Sequence, residues 1–190
     1  MKQILKTVYE LDEVKEKAIE KNRYINVEFN DWNNLLILDW KEKLEKAGFS
    51  DPKIYFSGFY SQGDGACFDC NSFDISRLLK NLNFTDKEKA RILEIQDDFS
   101  ITIEKNGFAN HYNHERTRYT NIDSFYIENE KDKNLLFDLE KHIEQLRLDL
   151  CRKIYNDLED EYYYLTSDQA VYDTLQANEY YFEESGKIAI

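Results

Sequence analysis

The sequence predicts an α+β fold: an antiparallel sheet of three to five strands, helices on one face, and a long C-terminal helix. Three observations predict it. Aromatic and β-branched runs occupy Lys53–Ser61, Phe99–Glu104 and Ile122–Glu128, the composition and alternation of half-buried strands. Asn106-Gly107 follows the second run, and this dipeptide suits the positive φ angles of a tight hairpin. Leu136, Leu139, Ile143, Leu146, Leu150, Ile154 and Leu158 recur at spacings of three or four, which a helix brings to one face.

Taken in order, Leu11 to Asn22 reads as a short helix with a lysine-rich outer face, and Tyr24–Phe29 alternates as a short strand. Asp31 is placed to cap a helix from Trp32 to Ala47. Its stripe is Trp32, Leu35, Leu36, Trp40 and Leu44, with Asp39 a polar intruder, and Gly48 ends it. Pro52 stands before the Lys53–Ser61 strand, where a missing N–H does no harm. Gly63-Asp64-Gly65 breaks that strand and Ala66–Phe68 resumes it. A helix follows around Asp74–Leu82, then another from Thr85 to Gln96, with Glu88 completing a capping box. After Phe99–Glu104 the Asn-Gly turn returns the chain as a strand over Phe108–His114, and Ile122–Glu128 adds a third. The long helix covers Leu135 to about Tyr163. Ser167 caps a last helix to Ala177, and Tyr180–Ile190 adds a short strand. No repeat or boundary divides the chain. It reads as a single domain, helical over about 1–50, a sheet over about 53–128, and acidic and helical over about 133–180.

The 190 residues suffice for one core, and 42% hydrophobic with 15% aromatic residues argues against disorder. The net charge is −13, which argues against direct contact with phosphates, since such contact needs a basic surface. No run approaches the ~18 apolar residues of a membrane span, and the polar N-terminus lacks the apolar core of a secretory signal. Three cysteines, an odd count without a signal, predict reduced thiols in a cytoplasm. No cofactor is predicted.

Between Lys153 and Lys187 there is no lysine or arginine, but there are nine carboxylates and seven tyrosines. Such a field attracts a basic surface, and tyrosine is enriched at protein interfaces. Asp157, Glu159, Asp160, Glu161 and Asp168 are the candidate charges for partner binding, and Tyr163 and Tyr164 the candidate anchors. Tyr162, Tyr163 and Tyr164 are consecutive. At about 100° per residue they cannot share one helix face, so at least one points outward.

A second candidate is the turn Gln62, Gly63, Asp64, Gly65. Its glycines permit close backbone approach, so it either presents Gln62 and Asp64 to a partner or is a tight turn with Asp64 bonding its own backbone. It is not a phosphate loop, because no Lys-Ser/Thr follows the glycines. Cys67, Cys70, His111 and His114 are the right types for tetrahedral zinc. However, the 40-residue gap departs from finger spacing, and on a continuous strand the two histidines face opposite sides. Buried thiols with surface histidines is the simpler reading. A cysteine–histidine nucleophile pair, oriented by Glu115, Asp123 or Asn113, has no local signature. Tyr55, Phe56, Phe59, Tyr60 and Phe68 read as core.

Three segments carry a resemblance: Phe56-Ser57-Gly58-Phe59-Tyr60-Ser61-Gln62-Gly63-Asp64-Gly65-Ala66-Cys67-Phe68, Asp149 to Tyr155, and Leu158 to Phe182 with its Glu161-Tyr162-Tyr163-Tyr164-Leu165-Thr166-Ser167-Asp168 core. The pattern resembles small acidic proteins encoded by bacteriophages and other mobile elements, a group with no settled biochemical role. The resemblance implies a phage setting inside a bacterial host cell and transfers no catalytic residue. The leading functional expectation is therefore an inhibitor that binds the basic surface of a host nucleic-acid-handling protein by acidic mimicry, of anti-CRISPR or anti-restriction type. The alternatives are a small enzyme using the Gln62–Asp64 loop with His111 or His114, or a self-associating structural or regulatory phage protein.

Overall fold

The computed structural model describes residues 7–28, 31–107, 112–124 and 126–189. In chain order its elements are α1 (Lys15–Lys21), α2 (Asn34–Ala47), β1 (Phe49–Ser50), β2 (Lys53–Phe56), β3 (Ala66–Asp69), β4 (Ser72–Phe73), α3 (Ile75–Leu78), α4 (Asp86–Glu94), β5 (Phe99–Lys105), β6 (Arg118–Ser124), α5 (Glu130–Leu165) and α6 (Asp168–Ala177). The class is α+β with antiparallel strands and a long C-terminal helix, as the sequence predicts. Among the described residues the strands form three two-stranded ladders, β1–β4, β2–β3 and β5–β6. A single bridge, Cys70 to Ile103, joins the stretch after β3 to β5.

The chain divides into two compact units, a smaller one of Met1–Asn34 with Leu158–Ile190 and a larger one of Leu35–Asp157. In the larger unit Phe49, Phe68, Leu78, Ile92, Ile103, Leu139, Ile143 and Ile154 are fully buried. Local signals set its elements. Thr85 and Glu88 form the expected capping box at α4, with the Glu88 carboxylate accepting the Thr85 N–H at 2.8 Å. Gly48 ends α2 at φ +106°, and a Cβ there would stand 2.6 Å from the backbone nitrogen of Leu78.

One edge of the β5–β6 ladder is covered by α5. Ile122 donates its N–H to the Glu140 carboxylate at 3.1 Å, and Thr120 donates its N–H to Glu144 at 3.0 Å. The spacing explains the fit. Two residues of strand advance ~6.7 Å, and four residues of helix advance ~6 Å. Helix carboxylates four apart therefore meet strand N–H groups two apart, and an edge that would otherwise recruit another strand is satisfied.

In the smaller unit α1 and α6 enclose Val14, Ala18, Ile19, Val171, Leu175 and Phe182, with Leu11, Ile25 and Ile188 packed around them. Ser167 caps α6 by accepting the Ala170 N–H, as expected. The strand expected over Tyr180–Ile190 does not form among the described residues; Phe182 makes only isolated bridges, to Tyr9 and to Ile188.

Several expectations need correction. Tyr24–Val27 is a run of turns rather than a strand, closed by the Ile25 N–H to Asn22 O and Val27 N–H to Tyr24 O bonds; Phe29 lies outside the described residues. The helix expected from Trp32 starts at Asn34, after a turn closed on the Asp31 carbonyl. The Lys53–Ser61 strand ends at Phe56, and the helix expected over Asp74–Leu82 is one turn, capped by Asp74. The described strand that pairs with β5 is Arg118–Ser124, whereas the expected return is Phe108–His114. Tyr112–His114 is not strand, and residues 108–111 lie outside the described set. The reason is chemical: β6 turns the buried polar residues Arg118 and Thr120 inward, so its alternation is invisible to hydrophobicity.

Candidate functional site

The glycine loop is built as a filled turn. The Asp64 carboxylate accepts the N–H groups of Tyr60 at 2.8 Å and Ser61 at 2.7 Å. It therefore braces its own backbone, as one of the two sequence readings has it. A Cβ on Gly63 would stand 2.7 Å from the Tyr112 ring, and one on Gly65 would stand 2.8 Å from the His114 ring. The glycines are thus where these two rings lie against the loop. Asn113 donates its side-chain N–H to the Phe56 carbonyl at 3.1 Å. Gln62 is exposed at the tip. Of the aromatic set, Phe59 and Phe68 are core and Phe56 is half-buried, whereas Tyr55 on β2 is 36% exposed and Tyr60, carried off the strand by the loop, is 71% exposed, contrary to expectation.

Cys67, Cys70 and Cys151 are free, buried thiols. Burial pushes the Cys67 thiol up, Cys70 to about 11 and Cys151 to about 12. At neutral pH these are protonated and poor nucleophiles. His114 Nδ1 accepts the Arg116 N–H at 3.1 Å and so caps the short 3₁₀ turn Glu115–Thr117. His111 lies outside the described residues. Among the described residues no group of three or more His, Cys, Asp or Glu side chains is arranged to hold a metal ion.

The acidic end of α5 is more heterogeneous than its sequence. Asp157 accepts the Trp40 indole N–H at 3.0 Å. Asp168 is paired with Arg23, which also bonds the Thr166 carbonyl at 3.2 Å. In addition, Lys15 places its ammonium 4.2 Å from the Tyr172 ring centroid. The stretch without its own cations thus receives cations from α1 and the turn after it. Tyr162 packs edge-on against Trp32, with ring centroids 5.9 Å apart. Tyr163 and Tyr164 are 49% and 65% exposed, next to half-buried Glu159 and Glu161 and exposed Asp160.

Hydrophobicity also missed a buried polar cluster. Arg147 is fully buried on α5. It holds the Glu144 carboxylate at 2.8 and 2.5 Å and donates to the carbonyls of Glu115 at 2.8 Å and Arg118 at 3.0 Å. Arg118 is also buried and pairs with Asp69. The available signal was positional: Arg147 lies four residues from both Ile143 and Cys151, inside the apolar stripe. Burial pushes the Glu144 carboxyl up, but the Arg147 guanidinium and the Thr120 donors outweigh it and hold it below the ordinary 4.5. A depressed carboxyl stabilises the fold fully above its unfolded pKa, and the stabilisation is lost as pH falls through the folded value. Urea melts are expected to show Glu144→Gln less sensitive than the parent as pH is lowered from the ordinary 4.5 through the folded value. Equal acid sensitivity would remove Glu144 as a source.

No helix among the described residues is long and apolar enough to cross a membrane. No curated protein and no solved structure matches the chain. Residues 32–168 match the family model described as Domain of unknown function (DUF8835), a segment that contains the glycine loop, the Arg147 cluster and the acidic end of α5. The chain belongs to the DUF8835 family.

Proposed function

We propose that this protein is an intracellular inhibitor from a phage or mobile element, and that it binds the basic, nucleic-acid-contacting surface of a host protein. Anti-restriction and anti-CRISPR proteins are the natural instances. The observation that carries the reading is the exposure of Tyr163 and Tyr164 beside Glu159, Asp160 and Glu161 at the end of a 36-residue helix. A rigid helix holds carboxylates at fixed spacing, where they stand in for phosphates before lysine and arginine. The phenol rings add apolar contact of the kind that dominates interface energetics. Glu159, Asp160 and Glu161 are the working charges, since Asp157 and Asp168 already have partners within the chain. The filled glycine loop and the protonated thiols favour binding over catalysis.

The test is capture of the host partner by tagged protein from nuclease-treated bacterial lysate, followed by titration of the purified pair. The complex is expected to weaken with salt and to be displaced by nucleic acid. Tyr164→Ala is expected to weaken it roughly fivefold or more, and Glu159→Gln, Asp160→Asn and Glu161→Gln together by more. Binding indifferent to salt, nucleic acid and all four substitutions would sink the reading.

A further inference from the structure

Within the smaller unit lies a cavity of about 280 Å³ lined by Glu10, Asp12 and Glu179 together with Tyr172, Tyr180 and Tyr181. Leu11 and Leu175 supply its apolar surface. All of these residues lie outside the segment matched to the family. We propose that this cavity is a receptor for a guanidinium group, filled in the complex by an arginine side chain of the basic partner. The inference rests on the binding reading above and gives it a second, concave contact.

The size is below the roughly 300–1,000 Å³ of sites for drug-sized ligands, which suits a single side chain. The chemistry has two independent parts. Tyrosine faces attract cations through their quadrupole, and the protein already uses one this way, with the Lys15 ammonium 4.2 Å from the Tyr172 centroid. The carboxylates supply acceptors for a planar fork of N–H donors, which arginine presents and lysine does not. The Tyr172 hydroxyl donates to the Asp12 carboxylate at 3.2 Å and so fixes the orientation of one acceptor. A neutral group of the same shape keeps its N–H donors but loses the charge that strengthens both contacts, and an anionic group is repelled by the carboxylates.

The probe is butylguanidinium, titrated into the full chain and followed by NMR of the tyrosine rings, with neutral butylurea as the shape control. Saturable shifts at Tyr172, Tyr180 and Tyr181 are expected with butylguanidinium and not with butylurea. Tyr181→Ala combined with Glu179→Gln is expected to weaken binding roughly fivefold or more. Equal shifts with the two probes, or no saturable shift at millimolar concentration, overturn the proposal, and the urea comparison needs no variant to fold. The outcomes separate the two ideas. Guanidinium binding without any partner captured leaves the cavity standing and the mimicry reading fallen. A partner lost on Tyr164→Ala, with butylguanidinium ignored by the cavity, does the reverse.

Discussion

Replacing Arg147 with methionine is expected to destabilise the larger unit by about 3–5 kcal/mol, the range for removing one member of a buried ion pair. The side chain is fully buried, so no water replaces what it donates. Glu144 would keep its bonds to the Thr120 N–H and hydroxyl but lose both guanidinium contacts. The carbonyls of Glu115 and Arg118 would each lose a donor, and such orphaned groups cost about 1–3 kcal/mol apiece. These costs overlap, so they do not simply add. Methionine keeps much of the volume, which limits any cavity contribution. The diagnostic is the double variant Arg147→Met with Glu144→Gln. It removes both charges but keeps an amide oxygen for Thr120, and it should recover part of the loss. Chemical denaturation of the four proteins in the cycle measures this. A single-variant change within about 0.5 kcal/mol, the range of ordinary surface substitutions, would show that the cluster does not hold β6 to α5.

The elements that were legible in the sequence are those whose signals are local. The Thr85–Glu88 box, the Ser167 cap, Gly48 after α2 and the stripe of α5 each specify their own structure within a few residues. The return strand was not legible because its inward residues are Arg118 and Thr120. Periodicity reads burial through hydrophobicity, and here burial is compensated by Asp69 and Glu144 from elsewhere in the chain. Tyr24–Val27 failed in the opposite sense. Its alternation is correct for a strand, but the backbone closes on itself in successive turns and Ile25 packs into the small core.

The candidate site was legible as composition, not as geometry. Counting charges between Lys153 and Lys187 found the acidic, tyrosine-rich stretch. It could not show that Arg23 pairs with Asp168, more than a hundred residues away, or that Trp40 occupies Asp157. The outward turn of a tyrosine followed from helix geometry alone, and two of the three are exposed. The cavity of Tyr172, Tyr180 and Tyr181 was hidden because Glu10 and Asp12 come from the other end of the chain. Long-range pairing of this kind leaves no trace in spacing.

Gly186→Ala is expected to open the smaller unit. Gly186 sits at φ +82° with its Cα against the backbone of α1. A Cβ would stand 2.3 Å from the carbonyl carbon and oxygen of Lys17 and 2.6 Å from the nitrogen of Ala18. All three atoms belong to a helix backbone, so no rotamer change relieves the overlap. The left-handed φ adds roughly 1–2 kcal/mol for any residue with a side chain. The segment must therefore lift, losing the hydrogen bonds that the Asn22 side-chain N–H donates to the Gly186 carbonyl at 3.0 Å and the Lys17 ammonium donates to the Glu184 carbonyl at 3.1 Å. Phe182, fully buried and bridged to Tyr9 and Ile188 on either side, is then unsealed. Burying such a side chain contributes about 1.5–3 kcal/mol, so a total loss of about 3 kcal/mol or more is expected. Hydrogen exchange reads this directly, because local opening has its own free energy. Amides of α1 and of Phe182 should lose protection, while those of the β5–β6 ladder keep it. Unchanged exchange in α1 would mean that the C-terminal segment does not seal this core.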